Sequence, residues 1–240
     1  MAINTKRLDR FISEHCQINR KKVRLILAQK RVYVDGDLAN NTAQTVDFFS
    51  HITIDGQVLQ ANKAHYIMLN KPIGVVCATK DDKHKTVIQL LEGCYEKDVI
   101  ASLHIVGRLD LNTSGLVLLT NDSRWSERLT SPAYKVSKSY RVTLANPLTT
   151  DYISAFNQGM YFDYEKITTL PAALRITSSH EAEVILTQGR YHQIKRMFGR
   201  FRNPVVALHR YSIGQLFLDD CLKLGESRSL KSSEVKQLSV

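Results

Sequence analysis

Hydrophobic and polar positions follow two different periods along this chain. Leu8, Phe11 and Ile12 recur at helical spacing, and a second helix over about 20–29 puts Val23, Ile26 and Leu27 on one face. The runs Val32 to Leu38 and Ile52 to Leu59 alternate instead, each around an Asp-Gly pair, which predicts two hairpins. A polar bridge, Gln60 to Ala64, then precedes the apolar run from Tyr66, so the pattern places a boundary near residue 62, with units at 1–61 and 62–240. In the second unit the pattern predicts strands at 66–70, 74–78, 115–120, 139–145, 173–177, 182–187 and 205–210, and helices at 86–92, 123–130, 149–158 and 191–201. Asp122 or Ser123 is suited to cap the second of these helices and Gly159 to end the third. Strands and helices mixed without regular alternation predict an α+β sheet domain rather than a doubly wound one.

Composition narrows the partner. A formal charge of +10 over 240 residues attracts polyanions, and nucleic acid leads. An anionic membrane is the rival, but no apolar run approaches the ~20 residues that span a bilayer. Cys16, Cys77, Cys94 and Cys221 show no paired metal-ligand spacing, and Met1 to Arg10 holds no apolar leader, so free thiols in a reducing cytoplasm are expected.

Three segments carry candidate chemistry. Asp110 lies in Gly107-Arg108-Leu109-Asp110-Leu111-Asn112-Thr113-Ser114-Gly115, ahead of the apolar run Leu116 to Leu119; it either caps a turn through the amides of 113–115 or has a charged partner and a task. Between Val184 and Leu218 there is no acid, while Arg190, Lys195, Arg196, Arg200, Arg202 and Arg210 all fall there. The stripe Ile194, Met197, Phe198 and Phe201 leaves His192, Lys195 and Arg196 near the opposite side, suited to phosphate or to a buried carboxylate. His192 taken alone points to structure rather than catalysis. In the third segment, Tyr140 shares a strand face with Val142 and Leu144, as a core-edge aromatic or a platform for an unstacked base. Asn70-Lys71-Pro72 with Gly74 marks a turn, with Lys71 a loop cation.

The first sixty residues resemble the S-four type (alpha-L) RNA-binding domain through Arg7-Leu8-Asp9-Arg10-Phe11-Ile12, Asn19-Arg20, Arg24, Ile26 and Lys30-Arg31-Val32-Tyr33-Val34-Asp35-Gly36. That resemblance implies docking of Arg20, Arg24 and Arg31 on structured RNA. Across nearly the whole chain, the order Asn-Lys-Pro, Gly-Arg-Leu-Asp, Lys-x-Tyr, Gly-Arg-Tyr-His-Gln-Ile-Lys-Arg-Met is similar to the RNA pseudouridine synthases, specifically their RsuA-type family.

The resemblance implies an N-terminal S-four type domain and a catalytic domain with a mixed, mainly antiparallel sheet. It implies isomerisation of a uridine in 16S ribosomal RNA, naked or within a pre-ribosomal particle, by a monomeric cytoplasmic enzyme without cofactor or metal. A synthase acting on 23S RNA, or a noncatalytic ribosome-binding or assembly factor, are the alternatives. Asp110 takes the position of the family aspartate, as nucleophile at the ribose C1′ or as the base removing the 2′ hydrogen. Lys195 takes that of the cation beside it, with Arg196 adjacent; relatives carry Arg at the Lys195 position, and Lys offers a point charge in place of a fork. Tyr140 corresponds to the tyrosine that stacks on the base and deprotonates C5, Arg108 to the arginine that helps extrude the nucleotide, and Leu186 to an apolar floor. Arg190, Arg196 and Lys71 are expected to contact the RNA.

Overall fold

A computed structural model describes residues 5–238, so the first residues of the segment read for a leader lie outside the described residues. The chain forms two compact units, Met1–Ala64 and His65–Val240.

In the first unit, β1 (Lys6–Arg7) leads into α1 (Leu8–His15) and α2 (Arg20–Ala28). Asn19 caps α2 by accepting from the Lys22 amide, and Val23, Ile26 and Leu27 turn inward onto Leu8 and Ile12. Strands β2 (Val32–Val34), β3 (Asp37–Leu38), β5 (Ile52–Ile54) and β6 (Gln57–Gln60) make one sheet in the order β3-β2-β5-β6, so the two hairpins join through β2 and β5; β4 (Thr45–Val46) pairs with β1. Asp35 and Asp55 take positive φ in the two Asp-Gly turns, as such hairpins require. Arg20, Lys21, Lys22 and Arg24 lie exposed along α2. Arg31 does not stand free for a phosphate: its guanidinium bonds both carboxylate oxygens of Asp55, and Gln29 as well.

The second unit is built on a nine-stranded sheet. Its strands are β7 (Tyr66–Lys71), β8 (His104–Val106), β9 (Ser114–Thr120), β10 (Lys138–Leu144), β13 (Ala173–Ile176), β14 (Glu181–Leu186), β15 (Val205–Ile213), β16 (Leu216–Phe217) and β17 (Ser227–Ser229). The main path runs β13-β14-β10-β15-β9-β7-β17, with β8 on β9 and β16 on β15. Every pairing is antiparallel except β9 with β15, which meet in parallel at Ser114–His209 and Gly115–Arg210. Successive residues of β9 enter different cores: Leu116 and Leu118 pack with Met68 and with Trp125 and Leu129 of α4 (Ser123–Thr130), while Val117 and Leu119 face the core of α5 (Asp151–Gln158) and α6 (Gln193–Gly199). Burial on both faces explains the unbroken apolar run, and each such leucine contributes about 1.5–3 kcal/mol. Asp122 caps α4 through the Arg124 and Trp125 amides, and Gly159 ends α5 at φ 79°.

Three expected elements differ. Residues 74–78 are no strand: Gly74 turns the chain at φ 78°, and only Val76 bridges to Thr86. The helix expected at 86–92 shrinks to a 3-10 turn, Gln89–Leu91, because Thr86 and Gln89 bond each other's backbone amides and Gly93 turns away at φ 83°. The helix at 191–201 starts only at Gln193, since His192 sits in the left-handed region at φ 48°. Two short helices, α3 (Lys97–Ser102) and α7 (Ser232–Gln237), and the hairpin β11 (Tyr161–Phe162) to β12 (Ile167–Thr168), were not expected; each is too short to set up a legible period.

The parallel joint explains one glycine. A Cβ on Gly115, at φ 109°, would lie 2.2 Å from the Arg210 carbonyl oxygen, whereas one on Gly74 would meet nothing within 4 Å. Gly115→Ala should therefore cost at least about 3 kcal/mol, adding backbone strain to a clash, and Gly74→Ala only about 1 kcal/mol. Urea unfolding of both variants checks this; equal losses would mean that β9 and β15 are not so closely apposed.

Candidate active site

Strands β8 and β9 are joined by the loop that carries Asp110, and its path is fixed by two buried cations reaching it from behind. Arg210 of β15 donates from Nη2 to the Gly107 carbonyl at 2.6 Å and from Nε to that of Leu116 at 2.8 Å, clasping both ends. Lys71 at the end of β7 is fully buried, and its Nζ reaches the carbonyls of Thr113 at 2.7 Å, Pro72 at 2.9 Å and Leu111 at 3.4 Å, clasping the middle. Burial pushes the Lys71 ammonium below its usual range, with Cys77 and Asp110 pulling it back. Lys71 is thus a clamp on the loop and not an RNA contact, contrary to expectation, and it is no solvated loop cation either.

With its backbone held, the loop turns the Asp110 side chain, 31% exposed, into a cleft of about 730 Å³. Its Oδ1 lies 3.4 Å from His192 Nε2 and its Oδ2 lies 3.9 Å from Lys195 Nζ. Among the described residues no backbone amide donates to this carboxylate; only its carbonyl accepts from the Thr113 amide, so the turn-capping reading is not realised. Both contacts are long, and the Lys195 ammonium reaches the carboxylate as a point charge rather than a bidentate fork. The left-handed backbone of His192 aims its ring at Asp110, and the ring stacks on Tyr191 with centroids 3.9 Å apart.

Tyr140 of β10 and Leu186 of β14 are buried and line the same cleft, while Arg108 and Arg190 lie exposed at it. Arg196 turns elsewhere: its guanidinium pairs with both oxygens of Glu165 and lies 3.7 Å from the Phe162 ring centroid, so neither Asp110 nor the cleft receives it. Among the other lining residues, the sequence pattern gives no role in the cleft to Lys138, to Cys77, whose Sγ accepts from the Leu109 amide at 3.3 Å, or to Arg210, one of many cations in its segment. The available signal was a lysine two places before Tyr140 and an arginine within the strand expected at 205–210. Among the described residues no group of three His, Cys, Asp or Glu side chains is placed to hold a metal, and no helix is long and apolar enough to cross a membrane. The cleft joins one carboxylate open to a ligand, several cations and a buried aromatic–aliphatic floor, an arrangement suited to an anionic ligand with a flat ring.

Comparison with known proteins gives this site a context. The family profile described as RNA pseudouridylate synthase matches residues 65–199. The chain belongs to the RNA pseudouridylate synthase family. This synthase is 42% identical, over 95% of its length and 98% of the relative, to a Pseudomonas aeruginosa protein named ribosomal small subunit pseudouridine synthase A. It is 41% identical to a Pasteurella multocida protein of the same name, over 95% and 97% of the two chains. A solved structure described as a pseudouridylate synthase crystal structure superimposes with a TM-score of 0.69 at 38% identity, covering 97% of this synthase and 99% of that chain.

Removing the Lys71 ammonium while keeping its bulk separates clamp from ligand contact. Lys71→Met should destabilise the synthase by about 2–4 kcal/mol, since about 1–3 kcal/mol is lost for each carbonyl left without a donor and relief of the buried charge offsets part of it. RNA affinity of the folded protein should stay unchanged. Wild-type stability together with weakened RNA binding would return Lys71 to the contact role.

Proposed function

We propose that this protein converts a uridine of 16S ribosomal RNA to pseudouridine, with Asp110 acting at the ribose C1′ or C2′. The observation that carries the reading is the Asp110 carboxylate, open to a cleft floored by Tyr140 and Leu186 and flanked by His192 and Lys195. The small-subunit substrate is supported by the names of the relatives that match end to end at 41–42% identity. Isomerisation breaks the bond from C1′ to N1, turns the base over and joins C5 to C1′, without net redox change. An open carboxylate serves either route at the sugar. Lys195 and His192 flank its oxygens, Tyr140 and Leu186 receive the extruded base, and Arg108 and Arg190 at the rim take up the displaced strand.

Residues 1–61 act, in this reading, as an S-four type RNA-binding domain in front of the catalytic domain at 62–240. Arg20 and Arg24 face the phosphates, and Arg31 contributes by bracing the turn at Asp55. The enzyme works as a monomer in the cytoplasm, where ribosomal RNA is assembled.

Asp110→Asn should abolish pseudouridine formation on small-subunit RNA, a loss of roughly 10⁴-fold or more, while RNA affinity stays the same or tightens slightly as a negative charge leaves the cleft. Turnover by that variant would remove Asp110 from the chemistry. Mapping pseudouridine in RNA from a strain lacking the gene tests the substrate: a site missing from 23S rather than 16S RNA overturns it. For the first unit, Arg20→Ala with Arg24→Ala should lower the slope of log affinity against log salt by about 1–2. An unchanged slope would make both arginines merely solvated.

A further inference from the structure

Lys138 stands apart from the other buried cations of the cleft. Lys71 donates to three carbonyls and Arg210 to two, in or beside the Asp110 loop, whereas the Lys138 ammonium, in a residue only 7% exposed, donates to a single protein acceptor, the Val136 carbonyl at 2.8 Å. Among the described residues it has no carboxylate partner, and an ammonium carries three donors. Holding a charge out of water with one neutral acceptor is costly unless a ligand supplies the rest. Its place indicates which ligand group: Lys138 lies opposite Leu186 in the register of β10 and β14, two residues before Tyr140, and all three line the cleft. The cations exposed at the rim suit phosphates; the floor is where a base would rest.

We infer that Lys138 is a further catalytic residue, whose ammonium donates to a carbonyl oxygen of the extruded uracil and stabilises the negative charge on that base as it leaves the ribose. The inference rests on the isomerase reading above. When the bond from C1′ to N1 breaks heterolytically, its electron pair goes to the base and spreads from N1 onto the carbonyl oxygens. A fixed ammonium against one of those oxygens interacts more strongly with the anion than with neutral uridine, and so lowers the barrier, the more so because Lys138 itself is largely out of water. No proton is transferred in that contact. After the base turns, C5 bonds to C1′, the C5 proton leaves and N1 gains one, so the step balances as an isomerisation under either role of Asp110.

The charged and titratable groups that share the cleft with Lys138 set its pH behaviour. Arg210 of β15 repels the ammonium; Tyr140 lies on its own strand; β14 presents the apolar Leu186; Asp110 comes from the loop, with His192 and Lys195 against its oxygens. Asp81, the other acid lining the cleft, is engaged by His84. Burial, reinforced by Arg210, pushes the Lys138 ammonium down to about 8. It therefore holds its proton at neutral pH and loses it just above, while an arginine in its place would keep its charge.

Single-turnover rates on small-subunit RNA, with RNA affinity measured separately, test this in the full-length protein. Lys138→Met should slow turnover by about 10²–10³-fold, the usual cost of removing one donor to a developing anion, with the dissociation constant within about threefold of wild type. Lys138→Arg should recover to within about tenfold, and the fall in wild-type rate above pH 8 should be absent from this variant. A Lys138→Met rate within about threefold of wild type, or a loss confined to affinity, overturns the role. If Lys138→Met melts early and cannot be compared, the pH comparison of wild type with Lys138→Arg decides alone: a shared fall above pH 8 overturns the role, a fall only in wild type supports it. Failure of the underlying reading looks different, because then wild type itself makes no more pseudouridine than Asp110→Asn, and both proposals fall.

Discussion

The structure of the second unit turns on the clasp of Arg210 and Lys71 on the loop that carries Asp110. Two cations are fully or almost fully out of water here, an arrangement that is unfavourable unless their donors are satisfied. Carbonyls in the loop and beside it, from Gly107 to Leu116 and at Pro72, accept from them, and the same bonds leave that loop little choice of path. Gly115 permits the clasp by letting the β9 and β15 backbones approach too closely for any Cβ. The parallel pairing there also joins the part of the sheet that carries Tyr140 and Leu186 to the part that ends at Lys71. Rigidity behind the loop is what allows the carboxylate in front of it to be loosely held.

That looseness has a chemical consequence. A carboxylate gripped by a bidentate arginine is placed accurately but its oxygens are occupied. Asp110 instead has one long contact to the His192 ring at 3.4 Å and one to the Lys195 ammonium at 3.9 Å, which leave its lone pairs unsaturated. A lysine at residue 195 thus leaves room for His192, which a guanidinium fork from that side would crowd. Arg196, the nearest guanidinium in sequence, is removed from competition by Glu165 and Phe162. The helix divides its cations, one serving the cleft and the other pinning the hairpin of β11 and β12.

Much of this was legible where the physical signal is local. The β9 run, the α4 cap at Asp122 and the stop at Gly159 each depend on neighbours within a few residues, and each formed as the pattern indicated. Asp110 stood out because acids are scarce in apolar runs. Lys71 was misread because the acceptors that draw it inward lie 40 and 42 residues away, at Leu111 and Thr113, and backbone carbonyls leave no trace in a sequence. Arg196 was misread for a related reason: Glu165 lies 31 residues earlier, on a hairpin too short to be recognised. His192 needed its left-handed backbone to be seen before its ring could be aimed at anything. The strand expected at 74–78 failed on a local conflict, since the short apolar run Val75 to Ala78 does not pair as a strand when Gly74 bends the chain at its start.

The net positive charge, the strongest bulk signal, also divides once the structure is known. Formal charge counts every lysine and arginine alike, but Arg10, Arg175, Arg200 and Arg228 are tied to acids of their own neighbourhood, and their field is largely cancelled at the distance of an approaching strand. Arg210 and Lys71 face carbonyls inside the fold. The cations that remain exposed along α2 and at the rim of the cleft supply the attraction to a polyanion. Lys138 belongs to neither set, being buried like the clamps yet short of acceptors like the rim, which is why a bound ligand is the natural completion of its surroundings.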